Sequence, residues 1–342
     1  VVPCNQPVAC VVMPQKRTLD AFFAPSSKKP KTEQPTVNET QQEESTPQSI
    51  NTYRQSLFST HKHYPFPIPE LPEALKKEIQ SFPCRPGREI NDQPDLDLLY
   101  FEPYVPPSSA RQLFKFLRSE LPFYRVEYNI NRYGKDTHVR TPRWTTVFGL
   151  DETARFDDQG IPVDALTKTK ITDSNYAKYP PRPIPECLDI LRRNAEQATD
   201  CKFNFCLVNY YASGADSITY HSDDERFLGA NPAIASFSFG AQRDFVMKHK
   251  PIQGETAPEK PLKLPLASGD MILMRGKTQS KWLHSIPKRS GKNQNDGGRI
   301  NITFRRAMVK GGTENYYNYN VGTGPVYKWD GTAREMKVIA EK

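Results

Sequence analysis

The chain has 342 residues, of which 37% are hydrophobic and 25% charged, and its formal net charge of +8 is compatible with a polyanionic partner. It holds no apolar run of about 18 residues, so we expect no transmembrane helix and no membrane partner. Its six cysteines form no C-x-x-C pair, and the chain is too long for a disulfide scaffold, so we expect free thiols in a reducing compartment.

Residues 1–52 are expected to form a disordered tail. Within it, residues 24–52 hold only two large apolar side chains among many Pro, Ser, Thr, Gln and Glu residues, which cannot offset the entropy of ordering the chain. We expect the natural start at Met13, with residues 1–12 as an extension of the gene model. The basic run KKPK at 28–31 predicts a nuclear import signal and hence a nuclear protein.

A short apolar segment, KRTLDAFF at 16–23, lies inside this polar tail. Leu19, Phe22 and Phe23 are spaced to share one side of a helical turn, an arrangement typical of peptides that fold into a partner's groove. The segment resembles the box that binds the replication sliding clamp, although Lys16 stands where that box has glutamine. The alternative is a chance hydrophobic cluster.

From residue 53 onward, apolar and aromatic residues become dense and the chain is expected to fold. Apolar residues at three- and four-residue spacing predict three helices, over 72–82, 108–121 and 185–199. Either Ser108 or Ser109 is expected to cap the second helix. Residues 53–122 are therefore predicted to form a helical support region.

After residue 200 the pattern changes to short runs rich in β-branched and aromatic residues, bounded by Gly, Pro, Asn and Asp. These runs are KFNFCLVNYY, AIASFSFGA, RDFVMKH, LKLPLASGDMILM and RINITFRRA. Helices that precede a series of strands predict an α+β fold rather than a parallel α/β sheet. The β-rich core is expected over 200–310, followed by an extension at 311–342 whose role the sequence leaves open.

One segment of this core, YHSDDERF at 220–227, combines a histidine with three acidic residues. His221 and Asp223 alternate, so on an extended strand their side chains share one face, and His284 follows in the apolar run KWLHSIP. Two histidines and one carboxylate form the facial triad of non-haem Fe(II) oxygenases, which leaves positions open for a co-substrate and dioxygen. The plainer alternatives are a surface histidine, a solvated acidic turn and a core histidine.

A third feature is the run RINITFR at 299–305, in which polar and apolar residues alternate. Its polar face holds Arg299, Asn301, Thr303 and Arg305, and its apolar face holds Ile300, Ile302 and Phe304. Burying a polar face of that length is costly unless it binds something, although the arginines could instead form surface ion pairs. An arginine can hold a dicarboxylate through a charge-assisted pair, so the triad and the arginine together indicate an oxygenase that uses Fe(II), O2 and 2-oxoglutarate.

Residues 203–306 resemble the AlkB family of oxidative nucleic-acid demethylases, especially its eukaryotic DNA-repair branch. The matching text, in order, is FNFCLVNYY, HSDDERFL, AIASFSFGAQRDFVMKHK, LPLASGDMILM, WLHSIP and RINITFRR. The resemblance implies a double-stranded β-helix, or jelly roll, with metal and co-substrate in its mouth. It also implies Fe(II) ligands at His221, Asp223 and His284, and 2-oxoglutarate contacts at Asn209, Tyr211, Arg299, Asn301, Thr303 and Arg305. Among these, Arg299 would hold the distal carboxylate, and Arg305 would also support the carboxylate ligand.

The same resemblance implies alkylated DNA as the substrate, with 1-methyladenine and 3-methylcytosine as the bases that are repaired by direct reversal. Glu225, with Asp224 beside it, would read the exocyclic amine of the base. Residues 123–199 would form a nucleotide-recognition lid with an insertion. In this lid Tyr133, at a predicted turn, would fill the gap left by a flipped base, and Arg143 would contact phosphates.

Alternatives remain open for the substrate. Glu225 could be a surface carboxylate, and the segment around Tyr133 could be an ordinary amphipathic hairpin. An oxygenase of the same fold could act on RNA or protein, and a non-catalytic nucleic-acid binder could share the fold. We expect a monomer.

Overall fold

A computed structural model of the chain describes residues 57–340, apart from 173–175, 177–178 and 252–260. The described residues belong to the unit Gln48–Lys342. The predicted disordered tail, its clamp-like segment and its basic run lie outside the described residues, so these three remain predictions. Among the helices that the structure describes, none has both the length and the apolar character needed to cross a membrane.

The helices and strands follow the predicted order, with helices concentrated before residue 200 and long strands after it. The strands before residue 200 are β1 (Phe58–Ser59), β2 (Ile68–Pro69), β3 (Arg88–Ile90), β4 (Leu98–Phe101), β5 (Glu127–Arg132), β6 (Lys135–Arg140), β7 (Trp144–Gly149), β8 (Ala154–Phe156) and β9 (Pro162–Asp164). Those after it are β10 (Phe205–Tyr211), β11 (Ile218–His221), β12 (Ile234–Gly240), β13 (Arg243–His249), β14 (Leu262–Leu266), β15 (Met271–Met274), β16 (Trp282–Ile286), β17 (Arg299–Arg305), β18 (Val326–Asp330) and β19 (Glu335–Ala340). The helices are α1 (Glu73–Ile79), α2 (Pro107–Glu120), α3 (Glu186–Thr199), α4 (Thr278–Lys281) and α5 (Glu314–Asn320).

Two antiparallel sheets form the core. The larger sheet has the strand order β3-β4-β15-β12-β17-β10-β7, and the smaller has the order β11-β16-β13-β14. Apolar side chains of both sheets, among them Leu207, Phe245, Ile272 and Trp282, share one buried cluster. The α+β class with a jelly-roll core is therefore confirmed.

Strand β17 lies inside the larger sheet, between β12 and β10, and all of its residues are buried. Its apolar face, formed by Ile300, Ile302 and Phe304, joins a second buried cluster. That cluster also contains Leu113 and Leu117 of α2 and residues of α1 and α3. The helices therefore cover the apolar face of β17, which leaves its polar face for the interior between the sheets.

The sheet reaches further back in the chain than the predicted core at 200–310. Strand β4 pairs with β15, β3 pairs with β4, and β7 pairs with β10. The predicted helical support region at 53–122 thus supplies strands β3 and β4 as well as helices, and the predicted lid at 123–199 supplies strand β7. Strands β3 and β4 have only three and four residues, and β7 is buried at all six of its positions, so none of the three shows a clear alternation of polar and apolar residues.

Helix α2 confirms the predicted amphipathic segment, with Leu113 and Leu117 fully buried. Its start differs from the expectation of a serine cap, because the helix begins at Pro107, and proline is favoured in the first helical turn. Ser109 therefore lies inside the first turn. Its hydroxyl donates to Oε2 of Glu78, a residue of α1, at 2.5 Å and so links the two helices.

The turn before β15 depends on a glycine. Gly269 has a φ of +98°, and a Cβ atom there would lie 2.2 Å from the carbonyl oxygen of Val105. The backbone N–H groups of Tyr104 and Val105 both donate to the carbonyl of Gly269, at 2.8 and 2.9 Å. This turn therefore joins the segment before α2 to the larger sheet.

We expect Gly269→Ala to lower the free energy of unfolding by at least about 1–3 kcal/mol, the usual cost of an unfavourable positive φ, with the clash against Val105 added to it. Urea unfolding followed by tryptophan fluorescence measures the change. Gly331→Ala is the matched control, because a Cβ there meets no atom within 4 Å. Equal stability of the two variants would contradict this account of the turn.

Candidate active site

The two histidines of the predicted triad meet across a pair of strands. In the register of β11 and β16, His221 lies directly opposite His284, and the ring centroids are 4.2 Å apart. Directly opposed residues of an antiparallel pair have their side chains on the same face, which explains how residues so distant in sequence become neighbours.

Asp223 joins the histidines from just beyond the end of β11, so it does not lie on the strand as expected. Its Oδ1 lies 4.0 Å from Nε2 of His221, and its Oδ2 lies 3.9 Å from Nε2 of His284. The ligand atoms of the three residues all fall within 4.8 Å of one another. Within the described parts of the chain, this is the one cluster of three or more histidine, cysteine or acidic side chains with such geometry.

The imidazole rings of His221 and His284 are both held in the neutral form. Nδ1 of His221 donates to the carbonyl of Thr219 at 2.8 Å, which leaves Nε2 as the basic nitrogen. Burial lowers the pKa of His221, and it lowers the pKa of His284 to about 3, with further lowering by His221. A neutral imidazole is the form that binds a metal, so both rings are in the binding form at neutral pH.

The carboxylate of Asp223 is held in its charged form by an arginine. Burial would raise the pKa of Asp223, but Arg305, assisted by the two histidines, lowers it below its usual value. Nη2 of Arg305 donates to Oδ2 of Asp223 at 2.9 Å, and both side chains are buried. The other oxygen of the carboxylate, Oδ1, lies on the side of His221, 4.0 Å from its Nε2.

The donor set of the cluster fits non-haem iron. Two imidazoles and one carboxylate, all deprotonated and held on one face, form the triad that Fe(II) oxygenases use. Protein atoms would fill only part of an iron coordination sphere, which leaves room for a co-substrate and dioxygen.

The polar face of β17 lines the same interior. Asn301 donates to the hydroxyl of Ser236 and the carbonyl of Phe237, and Thr303 donates to the carbonyl of Leu207. These bonds satisfy the two middle residues of the face within the protein. The arginines at its two ends have different surroundings.

Arg299 is 1% exposed, yet two of its donor groups have no partner in the described structure. Its Nη2 donates to the hydroxyl of Ser238 at 2.8 Å, while Nε and Nη1 remain unpaired. Burial lowers the pKa of Arg299 to about 10, with a further lowering by the charge of Arg243, while Tyr211 and Asp296 oppose the shift. A buried guanidinium in this state fits an anionic ligand such as a carboxylate.

The predicted co-substrate residues of β10 face those of β17. Asn209 lies opposite Asn301, and Tyr211 lies opposite Arg299. The guanidinium of Arg299 stands 5.5 Å from the ring centroid of Tyr211. The structure thus brings the predicted co-substrate residues together along two neighbouring strands.

Arg143 is placed differently from the sequence-based expectation of a phosphate contact. It is 9% exposed, and its Nε donates to Oδ1 of Asn209 at 3.1 Å. The reason is its position just before β7, which pairs with β10, so the side chain points into the sheet interior. The guanidinium of Arg143 therefore lies in the interior beside Asn209 and not on the outer surface.

The two acidic residues after the triad carboxylate have separate surroundings. Asp224 lies at the rim and accepts from Nζ of Lys250 at 2.7 Å. Glu225 is partly buried, and its Oε2 has no partner among the described residues. Burial, followed by the charge of Asp223, raises the pKa of Glu225 to about 7.

Tyr133 occupies the tip of a hairpin formed by β5 and β6, as the turn prediction required. Both Tyr133 and Gly134 have positive φ, a combination typical of two-residue hairpin turns. The side chain of Asn131 fixes the tip, because it accepts from the backbone N–H of Gly134 and donates to Asp136. The tyrosine ring is fully exposed.

Two residues of the site were missed by the sequence analysis. Oε1 of Gln279 accepts from the backbone N–H of Asp223 at 3.0 Å, and the hydroxyl of Tyr316 contacts both Arg305 and Glu225. Gln279 lies on the short helix α4, whose sequence carries no distinctive motif. Tyr316 belongs to an aromatic-rich segment of the C-terminal extension, and that composition was its only sequence signal.

Comparison with known proteins gives the family. The family model described as the 2OG-Fe(II) oxygenase superfamily matches residues 97–305. The DNA oxidative demethylase ALKBH2 of Arabidopsis thaliana is 30% identical over 229 residues, which are 62% of this chain and 67% of that protein.

Two animal relatives are more similar over shorter stretches. The DNA oxidative demethylase ALKBH2 of Homo sapiens is 39% identical over 131 residues, or 38% of this chain and 49% of that protein. The alpha-ketoglutarate-dependent dioxygenase alkB homolog 3 of Mus musculus is 39% identical over 136 residues, or 38% of this chain and 46% of that protein. The chain thus spans about half the length of these two relatives.

Arg305→Lys is expected to lower the affinity of the triad for a divalent metal by about 10–100-fold, the usual loss when a group that orients a metal ligand is changed. Arg305 reaches Tyr316 and Asp223 from two different nitrogens, and a lysine has a single ammonium group. Anaerobic calorimetry with Fe(II) or Mn(II) measures the affinity.

The neighbouring variant Arg306→Lys is the matched control. Arg306 is half exposed and pairs with Glu152, so its replacement should leave metal affinity unchanged. If both variants bind metal as tightly as the unaltered protein, Arg305 does not orient the carboxylate.

Proposed function

We propose that this chain, which belongs to the 2OG-Fe(II) oxygenase superfamily and within it to the AlkB family, removes alkyl groups from DNA bases by oxidation. Membership of the superfamily makes it a dioxygenase that uses Fe(II), 2-oxoglutarate and O2, as the sequence predicted. The observation that carries the proposal is the placement of two groups along the buried polar face of β17. The triad of two neutral imidazoles and one carboxylate lies at one end, and at the other end Arg299 has two donors without a partner among the described residues.

We assign the metal to His221, Asp223 and His284. When bound, the iron, with O2 and 2-oxoglutarate, supplies the oxidation that hydroxylates an N-methyl group, which then leaves as formaldehyde while 2-oxoglutarate becomes succinate and carbon dioxide. The chain holds two imidazoles in the neutral form and, through Arg305, one carboxylate in the charged form. Its contribution is thus to fix the position and the charge of the ligands.

Arg299 is proposed to hold the distal carboxylate of 2-oxoglutarate. Its two unpaired donors are buried, and an arginine left in that state costs free energy that an anionic partner would recover. Tyr211 faces it across the strand pair, so ligand and guanidinium would be enclosed on that side. Asn209, Asn301 and Thr303 would shape the space between the arginine and the triad.

Glu225 is proposed to recognise the base. Its Oε2 is a buried acceptor that has no partner among the described residues, which suits a donor group from the substrate. The exocyclic amino groups of 1-methyladenine and 3-methylcytosine are such donors, so these two bases are the proposed substrates. Asp224, paired with Lys250 at the rim, would border the opening.

DNA is proposed as the substrate, in preference to RNA or protein, because of the hairpin formed by β5 and β6. An enzyme that works on a base in a duplex must take the base out of the stack, and an inserted side chain can occupy the gap. Tyr133 is a fully exposed aromatic ring on a hairpin tip whose backbone is hydrogen-bonded to Asn131, which supports this role. Action on DNA, together with the basic run at 28–31, also supports a nuclear location.

The function is tested by mass spectrometry of oligonucleotides that carry 1-methyladenine or 3-methylcytosine in single-stranded DNA, duplex DNA and RNA. With Fe(II) and 2-oxoglutarate, the chain should restore the bases in DNA, and His221→Ala should abolish both repair and 2-oxoglutarate turnover because it removes one of three ligands. His63→Ala, which changes a histidine beside His61, is the control and should remain active. Repair confined to RNA, or iron-dependent turnover in His221→Ala, would refute the assignment.

Tyr133→Ala is expected to lower activity on duplex DNA by at least about tenfold while it leaves activity on single strands nearly unchanged. Only the duplex requires a group to replace the extruded base, and stacking on an aromatic side chain contributes about 1–3 kcal/mol. Tyr133→Phe keeps the ring and should retain duplex activity. Equal losses of activity on duplex and single-stranded DNA would show that Tyr133 contacts DNA in general and does not replace the extruded base.

A further inference from the structure

The C-terminal extension contributes a side chain to the site. The superfamily match ends at residue 305, so helix α5 and its tyrosines lie beyond it. Tyr316, on α5, packs its ring against Phe205 and Phe227 at centroid distances of 5.5 and 5.4 Å. The ring therefore has an aromatic wall on two sides, and its hydroxyl is directed toward the polar interior.

The hydroxyl of Tyr316 links two charged groups. It donates to Oε1 of Glu225 at 2.5 Å and accepts from Nη1 of Arg305 at 2.6 Å. Arg305 in turn donates to the metal-ligand candidate Asp223 through its other terminal nitrogen. A continuous chain of hydrogen bonds thus runs from the proposed metal ligand to the proposed base-reading carboxylate.

The position of α5 is fixed by the fold and not by these contacts alone. The hydroxyl of Tyr317 donates to the carbonyl of Gly149 and accepts from the backbone N–H of Arg182. The hydroxyl of Thr145 donates to the carbonyl of Asn320, at the end of the helix. Tyr316 is thus presented from a helix that is bonded to β7 and its neighbours, independently of the site.

We propose that Tyr316 is a positioning residue that sets the base preference of the site. Because Oε1 of Glu225 is occupied by the phenol, Oε2 is the acceptor left for a ligand. The phenol also separates the carboxylate of Glu225 from the guanidinium of Arg305, which would otherwise attract it. The carboxylate is thereby kept oriented for a base that offers an amino donor, an inference that rests on the function proposed above.

The test compares 3-methylcytosine, which carries an exocyclic amino group, with 3-methylthymine, which carries a carbonyl at that position. The unaltered chain should prefer the amino base in kcat/KM. In Tyr316→Phe, the phenol is lost and the ring is kept, so the preference should fall about tenfold, which corresponds to about 1.4 kcal/mol. The loss should come mainly from a higher KM for the oligonucleotide.

Tyr317→Phe is the matched control on the same helix. Its hydroxyl bonds only to the scaffold in the contacts above, so its loss should lower the melting temperature by about 2–4 °C and leave the base preference unchanged. A purely structural role for Tyr316 would give the same pattern as this control. Tyr316→Phe should instead change preference with little change in melting temperature.

Binding gives a readout that does not depend on turnover. Fluorescence anisotropy without iron should find that Tyr316→Phe weakens the preference for a 3-methylcytosine oligonucleotide over its 3-methylthymine counterpart. The inference is overturned if the unaltered chain prefers the amino base and Tyr316→Phe keeps that preference in both assays. If the unaltered chain demethylates neither base, the proposed function fails and the inference falls with it.

Discussion

The architecture depends on the need to bury both faces of one strand. Strand β17 is enclosed by neighbours in the sheet, and its alternating sequence sends three apolar side chains outward against the helices. The four polar side chains on the other face cannot be left without partners, because an unsatisfied buried polar group costs about 1–3 kcal/mol. Asn301 and Thr303 bond within the protein and Arg305 pairs with a carboxylate, whereas Nε and Nη1 of Arg299 have no partner among the described residues and are the donors proposed above for a ligand.

The buried ion pair of Arg305 and Asp223 links strand β17 to the candidate metal ligands. Removing one partner of such a pair typically costs about 3–5 kcal/mol, since the other charge is left alone in the interior. The pair therefore fixes the carboxylate beside the two histidines, and it leaves the second terminal nitrogen of Arg305 for Tyr316. The proposed metal ligand Asp223 and the proposed base-reading residue Glu225 are thus both linked to Arg305, the first by a direct bond and the second through the hydroxyl of Tyr316.

Antiparallel pairing explains how residues far apart in the sequence converge. His221 meets His284 because β11 and β16 are in register, and Tyr211 meets Arg299 because β10 and β17 are in register. Each of these pairs depends on the sheet and not on a local segment. The exposed hairpin of β5 and β6 differs, since its tip is stabilised by contacts within a few residues of Tyr133.

The sequence by itself determined what depends on local spacing: the three amphipathic helices, the alternation of β17, the turn at Tyr133 and the residue types of the triad. Hydrophobic periodicity and turn-forming residues depend on near neighbours in the chain, so both can be recognised in the sequence before the fold is known. Only the tertiary structure decided that Arg143 is buried against Asn209, that Gln279 holds the backbone of Asp223, and that β3, β4 and β7 extend the sheet.

The same holds for Tyr316, whose two partners lie on other parts of the chain. Its aromatic-rich segment is compatible with simple packing on the barrel, and nothing in its spacing distinguishes it from the neighbouring tyrosines. Contacts of this kind are set by how helices and sheets pack, because packing selects one rotamer and one neighbour among many that the local sequence permits. Short sequence motifs therefore predicted the residue types of the site, whereas the contacts that support those residues were decided only by the packing of the whole domain.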